Sequence, residues 1–196
     1  GSFQVPGCIH DLAVVKITAP ATLKGAGPLT AGVAVQIQNR SDHPETIDLS
    51  DLGNGVTTGL VRLSVTTVHD DGEGCQLTPP VLDNATNSAL FSGGPLLLAS
   101  KQLLTVSYLV TYNCASPQVL NKSDATRGDY EHVATVYHDV LDGSLDDHAA
   151  DDSCPHAALP GNLDSNPPPK GVKDKGCGAK KPGGTVGAPV QTDVIQ

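Results

Sequence analysis

Residues 102–114, QLLTVSYLVTYNC, alternate in side-chain character with a period of two along the whole run. Leu104, Val106, Tyr108, Val110, Tyr112 and Cys114 fall on one side, opposed in part by Thr105, Ser107 and Thr111. Side chains alternate across a strand at every second residue and return to one helix face only every 3.6, so this ribbon buries one face only as a β-strand. A strand of this kind is not stable alone. It needs neighbours for its backbone groups and a second layer over its apolar face.

Other ribbons supply both. Residues 11–19 (DLAVVKITA) make a first strand, closed by Pro20. Residues 31–38 (AGVAVQIQ) set Val33, Val35 and Ile37 against Gln36 and Gln38. Residues 60–68 (LVRLSVTTV) set Val61, Leu63 and Val65 on one side, and residues 130–141 supply a last core strand. Weaker strands are expected around 47–49 and across 75–82, where Pro79 and Pro80 restrict pairing to an edge. Turn chemistry separates them: Gly25–Pro28, the stretch NRSDHPET, Asp70–Gly74, and a polar, glycine-containing segment over 83–95. The 21 Gly and 15 Pro suit so many turns, and no window shows sustained helical spacing. With no Met or Trp and 3% aromatics, Val, Leu, Ile and Ala must fill the core, and branched aliphatics pack well on a pleated surface.

The expectation is an all-β chain: an immunoglobulin-like two-sheet β-sandwich of about seven strands over residues 11–155. A short N-terminal segment, 1–10, precedes it. A Pro/Gly-rich linker, 156–184, follows, and an extended tail, 185–196, regains strand-like composition.

Five cysteines, Cys8, Cys75, Cys114, Cys154 and Cys177, contain no C-x-x-C pair, which excludes a zinc ribbon, a thioredoxin-type motif and covalent c-type haem. Wide spacing reads as disulfides in an oxidising compartment, hence a secreted or cell-surface protein. A Cys75–Cys114 bridge would tie the irregular 70–100 region to the central ribbon, and Cys154–Cys177 would anchor the tail. Five is odd, so Cys8 is left over, free or bonded to another chain. The net charge of −9 argues against binding nucleic-acid phosphates, and no apolar run is long enough for a membrane-spanning helix.

The densest charge runs through Asp139, Asp142, Asp146, Asp147, Asp151 and Asp152. Such a loop has the oxygen ligands calcium takes, but it lacks D-x-D-x-D-G spacing, and a solvated acidic loop has the same composition. No other cofactor is expected. His132, His138, His148 and His156 lie in the same stretch without H-E-x-x-H or other fixed metal spacing. No G-x-S-x-G and no phosphate-cradling loop is present, so no catalytic residue is assigned and no enzyme is expected. The sequons at Asn39, Asn84 and Asn121 fall in expected turns and matter only where the source glycosylates.

The tail carries more. Val186, Ala188, Val190, Thr192 and Val194 alternate with Gly187, Pro189, Gln191, Asp193 and Ile195. A strand beyond a linker can add to a sheet edge of its own domain or of a neighbouring molecule.

Three segments, DLAVVKITAP, VAVQIQNRS and DYEHVATVYHDVLDG with the aspartates after it, resemble bacterial and archaeal cell-surface domains of the CARDB type over about residues 11–152. The chain departs from that pattern in its long 70–100 region, its cysteines and its tail. The resemblance implies a sandwich used in adhesion or surface architecture and carries no catalytic residues across. Together with the tail, it sets the functional expectation: a secreted structural or assembly protein, a subunit of an extracellular fibre or surface layer, interlocking through terminal-strand addition and disulfides. The alternative is a monomeric immunoglobulin-like adhesion or ligand-binding module of the cell envelope. Partners would be copies of the chain itself or another cell-surface protein.

Overall fold

The apolar sides of the alternating ribbons face each other across one core. The structure, a computed structural model, describes residues 12–39, 41–68, 72–118, 128–136 and 190–196. In chain order the strands are β1 (Leu12–Thr18), β2 (Thr22–Lys24), β3 (Gly27–Asn39), β4 (Glu45–Ile47), β5 (Val61–Thr67), β6 (Cys75–Gln76), β7 (Val81–Leu82), β8 (Leu96–Leu98), β9 (Leu103–Cys114), β10 (Tyr130–Val136) and β11 (Val190–Ile195). A 3-10 turn spans Leu49–Leu52 and one short helix, α1, spans Asn84–Leu90.

The first sheet runs β1-β3-β9-β6, with β7 also on β9. Its spine is the antiparallel β3–β9 pair, in register from Gly27–Cys114 to Gln38–Leu103. That register puts Val33, Val35 and Ile37 beside Tyr108, Val106 and Leu104, all buried. In β1 a register shift between Val14 and Lys16 breaks the alternation. The shift is what lets Leu12, Val14 and Ile17 all reach the core, since 14 and 17 would otherwise point to opposite faces.

The second sheet runs β2-β11-β10-β5. β10 pairs antiparallel with β5 from Tyr130–Thr67 to Val136–Val61, turning Tyr130, His132, Ala134 and Val136 inward against Val61 and Leu63. The Tyr108 hydroxyl crosses the core and donates to the Val61 carbonyl at 2.9 Å, joining the two layers. A small β4–β8 pair closes the side. The all-β sandwich expected from the ribbons is therefore present, and 75–82 forms two short edge strands interrupted by Pro79 and Pro80, as expected.

Three particulars differ from the sequence reading. Residues 83–95, expected as a loop, contain α1. The Asp83 carboxylate caps it by accepting from the Thr86 N–H at 3.1 Å, and a helix this short leaves no readable period. The short strand placed at 47–49 lies at 45–47, with the 3-10 turn after it; Gly59 (φ +110°) closes the following loop where any Cβ would overlap the Leu52 carbonyl. Finally, Val190–Ile195 is a strand of the sandwich itself, so the folded unit is not confined to 11–155. The expected linker 156–184 lies outside the described residues, between two strands of one sheet.

Candidate functional site

β11, the last of the described strands, sits inside its sheet, with β10 on one side and β2 on the other. Its ladders are short. The antiparallel one joins Tyr130, Glu131 and His132 to Thr192, Gln191 and Val190, and the parallel one joins Thr22, Leu23 and Lys24 to Asp193, Val194 and Ile195. Val194 is buried in the common core.

Side chains supply the rest of the hold. The Val194 N–H donates to Asp129 Oδ2 at 2.7 Å. Thr192 Oγ1, fully buried, donates to the Pro20 carbonyl at 2.7 Å. Gln191 accepts from the Gly128 N–H at 3.1 Å and donates to Glu131 at 3.1 Å. His132 Nδ1 lies 3.0 Å from the Val190 carbonyl, and a carbonyl only accepts, so Nδ1 carries the proton. With Nδ1–H fixed, neutral His132 accepts at Nε2 from the Tyr112 hydroxyl at 2.8 Å. Burial lowers the His132 pKa, which agrees with the neutral ring. The chain end is also tied down: Gly25 N–H donates to the Ile195 carbonyl at 2.8 Å, and Gln196 N–H to the Gln118 carbonyl at 3.1 Å.

Beside this socket lies a second polar group. The Tyr130 hydroxyl accepts from the Asn113 N–H and donates to the Gln76 carbonyl, both at 2.9 Å. Its ring meets Tyr112 edge-on, centroids 5.2 Å apart, and burial pushes the Tyr112 hydroxyl up to about 12. Cys75 and Cys114 stand opposite each other on β6 and β9 and form the expected disulfide. Against the disulfide are two buried carboxyls, Glu73 and Asp129. Glu73 Oε1 accepts from the Gln118 N–H at 2.7 Å, and the Glu73 and Asp129 carboxyl oxygens lie within 4.8 Å of each other.

Carboxyl oxygens and both sulfurs here lie within 4.8 Å of one another. They do not make a metal centre, because sulfurs bonded to each other offer no thiolate. What remains is a pair of carboxylates, fewer than the four ligands zinc takes or the six to eight of calcium.

Of the residues singled out from sequence, Cys75 with Cys114, and Val190 with Thr192 and Val194, come together around this socket. His132, weighed there as a metal ligand, is a hydrogen-bond partner of β11. Cys8, Cys154, Cys177, Asp139, Asp142, Asp146, Asp147, Asp151, Asp152, Val186, Ala188, His138, His148, His156 and Asn121 lie outside the described residues. Asn39 does not sit in a turn. It is fully buried at the end of β3 and its amide donates to the His43 and Leu98 carbonyls at 2.9 and 2.8 Å, so the nitrogen a glycan would take is already used. Asn84 is exposed, on the first turn of α1. Glu73 and Asp129 escaped the sequence reading, since each is one acid in a turn and nothing local marks either as inward-facing.

The disulfide belongs to an oxidising environment. Among the described residues no helix is long and apolar enough to cross a membrane. The chain matches no family model, no curated protein and no solved structure.

Proposed function

We propose that this protein is a secreted structural subunit with an immunoglobulin-like core that interlocks with neighbouring copies by exchanging its C-terminal strand. The observation that carries the reading is the placement of β11: a strand inserted between β2 and β10, and separated from β10 in sequence by residues 137–189. A neighbour's β11 would meet the same Asp129, His132 and Pro20 partners in the same register. Exchange therefore keeps every bond of the closed form, which is the low-cost route to domain-swapped assembly. The strand order supports the immunoglobulin-like core. β1, β3, β9 and β6 take the places of strands A, B, E and D, and β5, β10 and β11 those of C, F and G. A surface layer or fibre of a bacterial or archaeal envelope is the setting that agrees with the disulfide and with the CARDB-type resemblance.

Light scattering on the purified protein over a range of concentrations, before and after mild warming, tests this. Dimers and larger species are expected. Val194→Pro, which removes the N–H bound by Asp129, should remain folded by circular dichroism and stay monomeric. A wild-type chain that is monomeric under every condition overturns the reading.

A second reading, a monomeric adhesion or ligand-binding module, draws on one feature. Val81 and Leu109 are a cross-strand pair on the outer side of the first sheet, 60% and 39% exposed. Monomers whose ligand binding is abolished by Val81→Asp would favour it.

A further inference from the structure

We propose that Asp129, buried against Glu73, is a proton-operated latch on β11: with its carboxyl protonated it holds β11 in its socket, and losing that proton releases the strand. The proposal rests on the strand-exchange reading for its purpose, though not for its physics.

Both carboxyls are more than nine-tenths buried, and each holds a backbone N–H at the chain end. Asp129 takes that of Val194 in β11, and Glu73 that of Gln118, the residue bridged to Ile195. The groups facing them come from every side. From β11 there is Asp193, whose charge repels; from β6 and β9 the Cys75–Cys114 disulfide, which does not titrate and whose Cys114 sulfur also meets the Tyr130 hydroxyl at 3.8 Å. Among the described residues no lysine or arginine pairs with either acid. A buried carboxyl beside a second acid holds its proton more tightly than one in water, because burial and the neighbouring charge both disfavour its ionised form.

Once Asp129 ionises beside Glu73, something must give. Glu73 cannot easily retreat. Its turn is pinned through the disulfide two residues on and by the Ser116 N–H donating to its carbonyl at 2.9 Å. Asp129 is fixed at the start of β10, with the Val68 N–H donating to its carbonyl at 2.8 Å. β11 has only its short ladders, so repulsion is relieved by letting water in where β11 leaves.

The direction follows from proton linkage. Burial first, then the Glu73 carboxyl beside it, raises Asp129 from 3.8 to about 7. With β11 out, Asp129 returns toward its ordinary value, so the closed form binds more protons between the two values. Closure is strongest at acid pH, weakens as pH rises through that window, and has lost the whole contribution above about 7. His132 works the other way: its lowered value means that protonation below its ordinary 6.5 opposes closure. The test must separate the two.

Amide hydrogen exchange of residues 190–195 in the full chain, corrected for intrinsic rates, at pH 5.5 and 7.5, does so when wild type is compared with Asp129→Asn. The amide still accepts from the Val194 N–H and donates to Glu73, but cannot ionise, while His132 is common to both proteins. The wild-type to variant ratio of opening should rise roughly 25-fold between the two pH values. Glu73→Gln, which gives ionised Asp129 a donor in place of a second acid but leaves its burial, should weaken the same dependence and covers the case in which Asp129→Asn does not fold. Equal pH dependence in wild type and the variants overturns the latch. Light scattering on the same samples keeps the two ideas apart. Strands that open with pH in a chain that never associates would sink strand exchange and leave the latch standing.

Discussion

The β3–β9 pair and the β10–β11 pair are both antiparallel, and different forces hold them. β3 and β9 share a ladder along nearly their whole length and bury Val33, Val35, Ile37, Leu104, Val106 and Tyr108 together. β10 and β11 share only the stretch from Tyr130–Thr192 to His132–Val190, and there the inward side chains are Tyr130, Thr192 and His132. The first pair is held by area, which is non-directional and tolerant. The second is held by a few directional hydrogen bonds, each of which fails if one atom is lost. A strand that must leave and return is better served by the second kind, because its opening exposes less apolar surface.

Truncation in the first region should therefore cost most. Ile37→Ala, between Val14 and Leu104, removes a fully buried side chain and should cost about 2–5 kcal/mol, read from urea unfolding. The loss should appear as global unfolding, with protection of β9 and β11 falling together. A local effect at β3 alone would mean that the layers do not share one core.

Breaking the disulfide comes next. The double change Cys75→Ser and Cys114→Ser opens a closure over a sequence separation of 39 and should cost about 2–4 kcal/mol. It also frees the turn that carries Glu73. Protection at 190–195 should fall further than protection at the centre of β9, and equal losses would detach Glu73 from the hold on β11.

The two regions differ just as much in how far they can be read from sequence. Period two exposed β3, β5 and β9 with their inward residues correctly assigned, because apolar alternation is both the signal and the cause of burial. The Cys75–Cys114 bridge was legible for a similar reason: one cysteine ends the central ribbon and the other opens the edge segment that pairs with it. In β11 the alternation sets Thr192 and Val194 on one face and Ile195 on the other, yet all three are buried. What remained hidden was polar. Asp129, Glu73 and His132 carry no local mark of burial, since their partners lie far off in the chain, 65 residues away for Asp129 and Val194. α1 was hidden too, because its inward residue, Asn87, is an amide that pairs with the Ser107 backbone on both sides instead of an apolar side chain.

A wedge under β11 separates the regions without touching the first. At Gly128, a Cβ would lie 2.7 Å from the Gln191 Cβ and 3.0 Å from the Thr192 carbonyl oxygen, both backbone-anchored positions. Gly128→Ala should cost about 1–3 kcal/mol by overpacking, nearly all of it as loss of protection at 190–195. If β9 amides lose as much, the socket is not an independent unit.

The smallest expected effect is the sharpest. Thr192→Val keeps the branched shape and removes the hydroxyl that donates to the Pro20 carbonyl and also interacts with the Tyr112 hydroxyl, leaving that carbonyl without this donor. A single neutral hydrogen bond is worth about 1 kcal/mol net, so opening of β11 should rise roughly fivefold while urea unfolding of the whole barely moves. The same change in β9, Thr111→Val, removes an exposed hydroxyl paired with Thr30 and should alter neither quantity. Should the Thr192 change prove as silent as the Thr111 change, side-chain hydrogen bonds would not be what retains β11. Its buried Val194 would then have to carry the strand, and the two regions would be held by the same force after all.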